Sequence, residues 1–119
     1  MSQKARVWSQ PRWVLYKKHR PAENESWRKL VQTTRLGEAY YRQEIDESEQ
    51  RELEMDCVMN GPFIREIRHK RMFYMDIGRI MGASAGEETR FLYAEWLTTG
   101  EVHGRPITVR ELRNKGALI

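Results

Sequence analysis

Apolar residues recur three and four positions apart along much of the chain, which is the spacing of one face of a helix. This spacing occurs in five segments, at residues 22–37, 38–59, 63–82, 85–98 and 109–115. The second segment is compatible with one long helix or with two shorter ones. In the third segment, residues 72–75 are apolar almost all round, which indicates either a break near Arg71 or burial on both sides. The pattern predicts a mainly α fold of four to five helices.

Sequences that start and stop helices agree with this pattern. Three places have the outline of a capping box, in which a short polar residue precedes a glutamate by three positions: Asp46 with Glu49, Ser84 with Glu87, and Thr108 with Glu111. Asn24 or Ser26 can cap the first helix, and Gly37 stands where a left-handed helix end belongs. The Asn-Gly-Pro sequence at residues 60–62 predicts a firm end to the second segment.

The N-terminal segment has a different character. Residues 13–16, Trp-Val-Leu-Tyr, have the β-branched and aromatic content of a short strand. Pro11 has no amide hydrogen, so a strand that includes it must lie at an edge or be interrupted there. The residues near Ile107 are compatible with a second short strand. We therefore expect one compact domain over residues 1–119, with a basic, aromatic segment at 1–20 and a helical core at 22–119.

The composition limits the class of protein. The chain has 119 residues, of which 39% are hydrophobic and 32% charged, and it has one cysteine, Cys57. A single cysteine excludes an internal disulfide and favours a small packed residue over a reactive thiol. No segment approaches the roughly 18 consecutive apolar residues of a membrane helix, and residues 1–20 lack the apolar run of a signal peptide. We expect a protein of the reducing cytoplasm with no membrane partner.

The net charge of +4 is distributed in blocks of opposite sign. Residues 1–20 hold six basic side chains and no acidic one. Residues 38–60 hold eight acidic and two basic side chains, a balance of −6, whereas residues 61–82 hold five basic and two acidic ones, a balance of +3. Such blocks either neutralise one another across the fold or form faces of opposite charge, one suited to phosphates and one to a basic partner.

Residues 72–99 have the outline of an imperfect helix-turn-helix. Gly78 supplies the small residue that lets two helices approach, Gly82 the turn, and Phe91 the later apolar residue. The sixth position after Gly82 is Glu88, whose charge does not fit the buried side of a second helix. A plain helical hairpin therefore stays open as the alternative. In a true helix-turn-helix, Arg90 and Tyr93 would reach the bases.

Basic and aromatic residues are interleaved near the N-terminus, a mixture that is typical of nucleic-acid binding. Aromatic rings there can stack on bases while cations follow the backbone, and residues 65–71 add cations for several phosphate contacts. The residues that we expect to contact DNA or RNA are Arg12, Trp13, Lys17, Lys18, Arg20, Arg65, Arg68, Lys70, Arg71, Arg79 and Arg90. The alternative is a purely structural role, in which the aromatic side chains belong to the core and the cations form a solvated face that is paired with acidic side chains. The favoured function is a non-enzymatic, nucleic-acid-associated regulator.

The alternative function is a small adaptor or inhibitor that binds a protein partner. Its surface would be the acidic segment 38–60 together with a patch of methionine and aromatic side chains, because soft apolar groups adapt to a partner. The residues that we expect at this surface are Glu47, Glu49, Glu52, Met55 and Met59. A core role for the methionines competes with this interpretation. A homodimer is compatible with both functions.

No arrangement of residues indicates catalysis. The three histidines, His19, His69 and His103, are far apart in the sequence and have no carboxylates or cysteines at ligand spacing. The chain has neither the glycine-rich phosphate-binding motifs nor the nucleophile-elbow motif. A histidine acting as a general base needs no sequence motif, so it stays open. We predict no enzymatic activity, no metal and no cofactor.

Overall fold

The computed structural model describes residues 8–119, where the chain forms eight strands and three helices. The strands are β1 (Arg12–Trp13), β2 (Ala39–Tyr41), β3 (Phe63–Ile67), β4 (Lys70–Asp76), β5 (Gly82–Ser84), β6 (Glu87–Thr89), β7 (Phe91–Leu97) and β8 (Glu101–Ile107). The helices are α1 (Trp27–Thr33), α2 (Glu47–Asn60) and α3 (Val109–Asn114), with short 3-10 turns at Lys17–His19 and Thr34–Leu36. The prediction of a mainly α fold with four to five helices is therefore wrong, and the fold is mixed α/β.

Five of these strands form one sheet in the order β1, β8, β7, β4, β3. Strands β8, β7, β4 and β3 are antiparallel neighbours, whereas β1 pairs parallel to β8 at the opposite edge. A second sheet has three antiparallel strands in the order β2, β5, β6. The edge position of β1 agrees with Pro11, which cannot donate to a central ladder.

The two faces of the five-stranded sheet have different covers. Helix α2 crosses one face and buries Cys57 and Val58 against Leu92 of β7. On the other face, α3 packs Leu112 against Ile107 at one end of the sheet. Most of the apolar core therefore lies between α2 and the sheet. Among residues 8–119, no helix is both long enough and apolar enough to cross a membrane.

Residues 63–82 form the β3–β4 hairpin and the start of β5, so the helix predicted there is wrong. Successive residues of β4 point to opposite faces of the sheet. Phe73 and Met75 pack on the α2 side, and Met72 and Tyr74 pack on the other side. A strand with apolar groups on both faces has a nearly continuous apolar run, and that run imitated a helix buried on all sides.

The predicted helix-turn-helix at residues 72–99 is also wrong, because the segment forms β4 to β7. Ser84 and Glu87, which resemble a capping box in the sequence, are paired across the β5–β6 hairpin. The two residues between them, Ala85 and Gly86, have φ angles of 52° and 80°. Two consecutive positive φ angles are typical of a two-residue hairpin turn, whose twist matches that of the strands. The expectation of a helical, helix-turn-helix-like protein is therefore wrong.

Several local predictions are confirmed. Asp46 caps α2, because its side chain accepts a hydrogen bond of 2.8 Å from the Glu49 backbone N–H. Thr108 and Glu111 form a complete capping box at the start of α3, and Gly37 has a left-handed φ of 90°. Helix α2 ends at Asn60 as predicted, but residues 39–41 form β2 and not a helix. The strand predicted at residues 13–16 is shorter and lies earlier, as β1 at Arg12–Trp13, and the strand predicted near Ile107 is present as β8.

Candidate nucleic-acid interface

The face of the five-stranded sheet that is opposite α2 carries polar and charged side chains, and we call it the open face. Strand β7 alternates, with Leu92 and Ala94 buried toward α2 and Tyr93 and Glu95 on the open face. Tyr93 pairs with Arg105 of β8, and Glu95 pairs with His103. The period-two alternation of the two strands therefore brings an aromatic, an acid, a histidine and an arginine to one surface.

One row of side chains crosses the open face perpendicular to the strands. The paired positions are Arg65 of β3, Met72 of β4, Glu95 of β7 and His103 of β8. Neighbouring strands are about 4.8 Å apart, so the four positions extend over roughly 14 Å. A second row pairs Tyr74, Tyr93 and Arg105. The open face thus has cations at both of its sides and aromatic rings between them.

A cleft of about 270 Å³ lies where β7 and β8 meet the segment that leads into the 3-10 turn Lys17–His19. Its charged lining residues are Lys18, Glu95, Arg105 and Lys115, and its other polar and aromatic lining residues include Tyr16, His19, Tyr93 and His103. Three cations face one carboxylate there. An excess of positive charge in a concave site attracts anions and raises their local concentration.

His103 is held between an aromatic ring and a carboxylate. The ring of Tyr16 stacks on it with centroids 4.1 Å apart and an interplanar angle of 13°. His103 Nε2 lies 3.6 Å from Glu95 Oε1. Burial lowers the pKa of His103, and the charge of Glu95 acts in the opposite direction. The histidine therefore has a fixed ring and a counter-ion for its protonated form.

Glu95 is the centre of a hydrogen-bonded group. Its Oε2 accepts from Lys70 Nζ at 2.9 Å and from the Tyr93 hydroxyl at 2.5 Å. Although burial acts to raise the pKa of Glu95, these hydrogen bonds and the charge of Lys70 hold it below its usual range. Glu95 is therefore ionised at neutral pH and does not compete with His103 for a proton.

His19 is the most buried polar residue of the cleft, with 7% of its surface exposed. Its Nδ1 lies 2.9 Å from the backbone carbonyl oxygen of Ala39, so the proton belongs on Nδ1. Burial lowers the pKa of His19 to about 4, and the charges of Lys18 and Arg105 act in the same direction. At neutral pH the imidazole is uncharged, and Nε2 is an acceptor available to a ligand.

The three cations of the cleft are positioned by aromatic rings and by one carboxylate. Lys115 Nζ lies 4.6 Å from the ring centroid of Tyr93, and Arg105 Cζ lies 5.8 Å from the same centroid. Arg105 Nη1 is also 3.4 Å from Glu111 Oε2. Burial, and then the charge of Arg105, lowers the pKa of Lys115. An anionic ligand in the cleft would offset the repulsion between Lys115 and Arg105, which is the smaller of these two causes.

The structure brings three of the predicted nucleic-acid residues to the open face. Lys18 lines the cleft, Lys70 donates to Glu95, and Arg65 lies at the far end of the first row. Arg12 and Lys17 are exposed in β1 and in the 3-10 turn, and Arg68 is in the β3–β4 turn with a φ of 52°. The open face therefore collects only part of the predicted set.

The other predicted residues have structural partners elsewhere. Trp13 Nε1 donates to buried Glu54, and Arg20 donates to the backbone oxygen of Ile45 at 2.6 Å. Arg71 lies over the rings of Trp8 and Trp96, at 4.0 and 5.5 Å from their centroids. Arg79 pairs with Glu49 at 2.6 Å, and Arg90 pairs with Asp76 at 3.1 Å. These contacts separate them from the cleft.

Of the residues predicted for the alternative, protein-binding surface, some are exposed and others make structural contacts. Glu47 and Glu52 are exposed on α2, and Glu49 pairs with Arg79. Met55 packs against the main core, whereas Met59 is 58% exposed near the end of the helix. Only part of the predicted methionine and acidic surface is thus available to a partner.

Sequence reasoning did not select His19, Glu95, His103, Arg105 or Lys115. For the two on β8, the alternation in Glu-Val-His-Gly-Arg-Pro-Ile predicts that His103 and Arg105 share a face, once the segment is recognised as a strand. For His19 and Lys115 there is no local pattern, because tertiary packing alone brings them to β7 and β8.

No family model, curated protein or solved structure matches the chain. Within residues 8–119, the His, Cys, Asp and Glu side chains do not form a group of three that could hold a metal ion. The interpretation of the cleft therefore rests on its own geometry and charge.

Proposed function

We propose that the protein is a nucleic-acid-associated regulator that binds a single strand on the open face, with one phosphate in the cleft. The observation that carries the proposal is the convergence of Lys18, Arg105 and Lys115 on a concave site lined by Tyr16 and Tyr93. Cations bind backbone phosphates, and the half-buried rings of Tyr16 and Tyr74 can stack on bases. The proposed compartment is the cytosol, as the single cysteine predicts.

The shape of the surface favours a single strand over a duplex. The cleft is a recess with β7 and β8 as its floor and the Tyr16–His19 segment as one wall. A rigid duplex presents its phosphates on a convex surface, and proteins read it mainly by inserting a helix or ribbon into a groove. A flexible strand can place one phosphate in a recess and lay its next bases across a sheet face. The rows from His103 to Arg65 give such a strand a path.

Fluorescence anisotropy tests this proposal with labelled single-stranded RNA, single-stranded DNA and duplex DNA at about 50 and 200 mM salt. Lys115→Ala is the test variant, and Lys29→Ala is the matched control, because Lys29 is 67% exposed on α1 away from the cleft. We expect single strands to bind more tightly than duplex, and Lys115→Ala to weaken binding about tenfold, or about 1.4 kcal/mol. Equal loss in both variants, or no binding at low salt, would contradict the proposal.

One observation favours a protein partner as a second candidate. Met59 is 58% exposed at the end of α2, and Phe63 is 56% exposed at the start of edge strand β3. Two large apolar side chains beside an acidic helix are suited to a partner with an apolar and basic surface. A pull-down with wild type and with Met59→Ser/Phe63→Ser tests this candidate. A partner retained equally by both proteins would remove it.

A further inference from the structure

Two histidines that are 84 positions apart, at 19 and 103, line the same cleft. His19 follows Tyr16 by three residues, and its backbone N–H donates to the Tyr16 carbonyl oxygen at 3.2 Å. Tyr16 is the extended residue that precedes the 3-10 turn Lys17–His19, and the side chains of Tyr16 and His19 both line the cleft. Because Tyr16 stacks on His103, the turn brings His19 toward His103.

The second ring nitrogen of His19 is an acceptor that a hydroxyl group of a ligand can satisfy. Nδ1 is engaged with the Ala39 carbonyl oxygen, which leaves Nε2 as an acceptor within a group of cations. A bare phosphodiester has only acceptors and cannot satisfy a neutral imidazole acceptor. The ribose 2′-hydroxyl of RNA is a donor, and it lies beside the phosphate that the cations would bind. The cleft therefore has complementary groups for both parts of a ribonucleotide linkage.

His103 differs from His19 because it has a carboxylate beside it. Glu95 Oε1 lies 3.6 Å from His103 Nε2 and stabilises the protonated ring, while His103 Nδ1 is left for a ligand. Burial lowers the pKa of both histidines, but the charge of Glu95 opposes this at His103, whereas the charges of Lys18 and Arg105 add to it at His19. His103 is therefore the more readily protonated of the two, which suits His19 to act as the base and His103 as the acid.

We propose that this cleft cleaves single-stranded RNA by attack of a ribose 2′-oxygen on the adjacent phosphorus. His19 Nε2 takes the proton of the 2′-hydroxyl as the new 2′-oxygen–phosphorus bond forms. The bond from phosphorus to the 5′-oxygen breaks, and protonated His103 gives its proton to that oxygen. The products are a 2′,3′-cyclic phosphate and a free 5′-hydroxyl, so no water, metal or redox partner enters this step.

The cations of the cleft stabilise the charge that develops in this reaction. Arg105 and Lys115, which lie 5.8 and 4.6 Å from the Tyr93 ring centroid, are placed to contact the non-bridging oxygens of the phosphate. Preorganised cations act on the transition state without reorganisation when the reaction occurs. The proposed activity rests on the proposed function, because a strand must first place a phosphate in the cleft.

The test incubates purified wild type, His19→Gln and His103→Gln with a labelled single-stranded RNA, and analyses the ends of the products. A second RNA carries one 2′-deoxynucleotide at the main cleavage position, which tests the chemistry without altering the protein. Anisotropy on the same proteins measures binding separately. Lys29→Ala is the control for purification, because its side chain lies outside the cleft.

We expect cyclic-phosphate ends from wild type and from Lys29→Ala, and a loss of about 10² to 10⁴-fold in rate for each histidine variant. The 2′-deoxynucleotide lacks the attacking hydroxyl, so wild type should not cleave the RNA at that position. This result does not depend on whether the histidine variants fold. Binding without cleavage by wild type would overturn the proposed activity and leave the proposed function intact. Equal cleavage by the histidine variants would identify a contaminant and also overturn it. Absence of binding would overturn both proposals.

Discussion

Two polar clusters lie on opposite faces of the sheet at the same point of β8. On the α2 side, Glu54 is 1% exposed and packs directly below Gly104. On the open side, the neighbours of Gly104 in the strand, His103 and Arg105, line the cleft. One glycine therefore separates a closed carboxylate cluster from a cleft that solvent reaches.

The closed cluster leaves no group for a ligand. Glu54 Oε1 accepts from Trp13 at 2.9 Å, and Oε2 accepts from Tyr41 at 2.5 Å and from Gln50 at 3.2 Å. Among the described residues, every buried polar side-chain atom has a hydrogen-bond partner. A buried carboxylate with all its partners fixes the positions of β1, β2 and α2 relative to one another.

The cleft differs from the closed cluster because some of its charged groups are not fully balanced by partners. The one carboxylate that lines it, Glu95, is already bound by Lys70 and Tyr93, and Arg105 pairs with Glu111, so the charges of Lys18 and Lys115 are not fully balanced there. The same types of side chain thus have a structural role under a helix and are available to a ligand on an open face. The variants below test this difference between the closed cluster and the cleft.

The largest effect is expected for Glu54→Ala, which leaves buried donors on Trp13, Tyr41 and Gln50 without an acceptor. Breaking a buried hydrogen-bonded charge lowers the free energy of unfolding by about 3 to 5 kcal/mol. Glu52→Ala, two residues away on the exposed side of α2, is the matched control and should change it by less than about 0.5 kcal/mol. Urea unfolding measures both. Equal effects would show that the closed cluster is not structural.

The second effect is expected for Gly104→Ala. A Cβ at this position would clash with the Tyr93 carbonyl oxygen and lie 3.1 Å from Glu54 Cγ. Forcing a methyl group into this contact costs about 2 to 3 kcal/mol and shifts β8. Gly78→Ala is the control, because Gly78 has a φ of 83° but no neighbour within 4 Å, and it should cost about 1 kcal/mol. Thermal unfolding distinguishes the two, and a smaller loss for Gly104→Ala would contradict this account.

A third prediction concerns whether His19 of the cleft and Glu54 of the closed cluster make the stability of the protein rise or fall with pH. Because burial holds the pKa of His19 at about 4, below its ordinary value of 6.5, the unfolded chain binds a proton in this interval that the folded chain does not. Stability should fall as pH drops from 6.5 to 4, by on the order of 2 kcal/mol more in wild type than in His19→Gln. Burial raises the pKa of Glu54, so the contribution of Glu54 to stability decreases as pH rises.

Urea unfolding at several pH values checks both signs, with Glu54→Gln as the second variant. Wild type and His19→Gln should diverge below pH 6.5, the ordinary pKa of histidine. Parallel curves for these two proteins would show that His19 is not held neutral.

The smallest effect is expected for Arg71→Ala, which removes the cation that lies over the rings of Trp8 and Trp96. The loss of stability should be about 0.5 to 1 kcal/mol, because exposed cation–π contacts are weak. Strand binding should change less than about twofold, in contrast to the tenfold loss for Lys115→Ala. An anisotropy titration of both variants checks this. Equal weakening would place Arg71 within the binding surface.

Local interactions made part of the fold predictable. The caps of α2 and α3, the end of α2 at Asn60 and the left-handed Gly37 depend on neighbours within a few residues. Strand β4 was not predictable in this way, because a central strand with apolar side chains on both faces loses the alternation that identifies it. Ala85 at a positive φ also departs from the residues expected in such a turn.

The site was less predictable than the fold. Lys18, Lys70 and Arg65 were selected from composition, and the structure places them on the open face. Charge density alone also selected Arg20 and Arg71, whose partners lie elsewhere. The cleft is defined by the β7–β8 hairpin together with the return of the N-terminal segment to β8, and the second of these is a long-range contact that no local pattern predicts.

The most direct test of the account is a nuclear magnetic resonance titration of isotope-labelled protein with a short single-stranded RNA. Shifts should concentrate at the open face, at His19, Tyr93, His103, Arg105 and Lys115, while the outer side of α2, at Glu52, Asp56 and Met59, should remain unchanged. Shifts confined to α2, or no shifts at saturating RNA, would contradict the claim that the cleft binds nucleic acid.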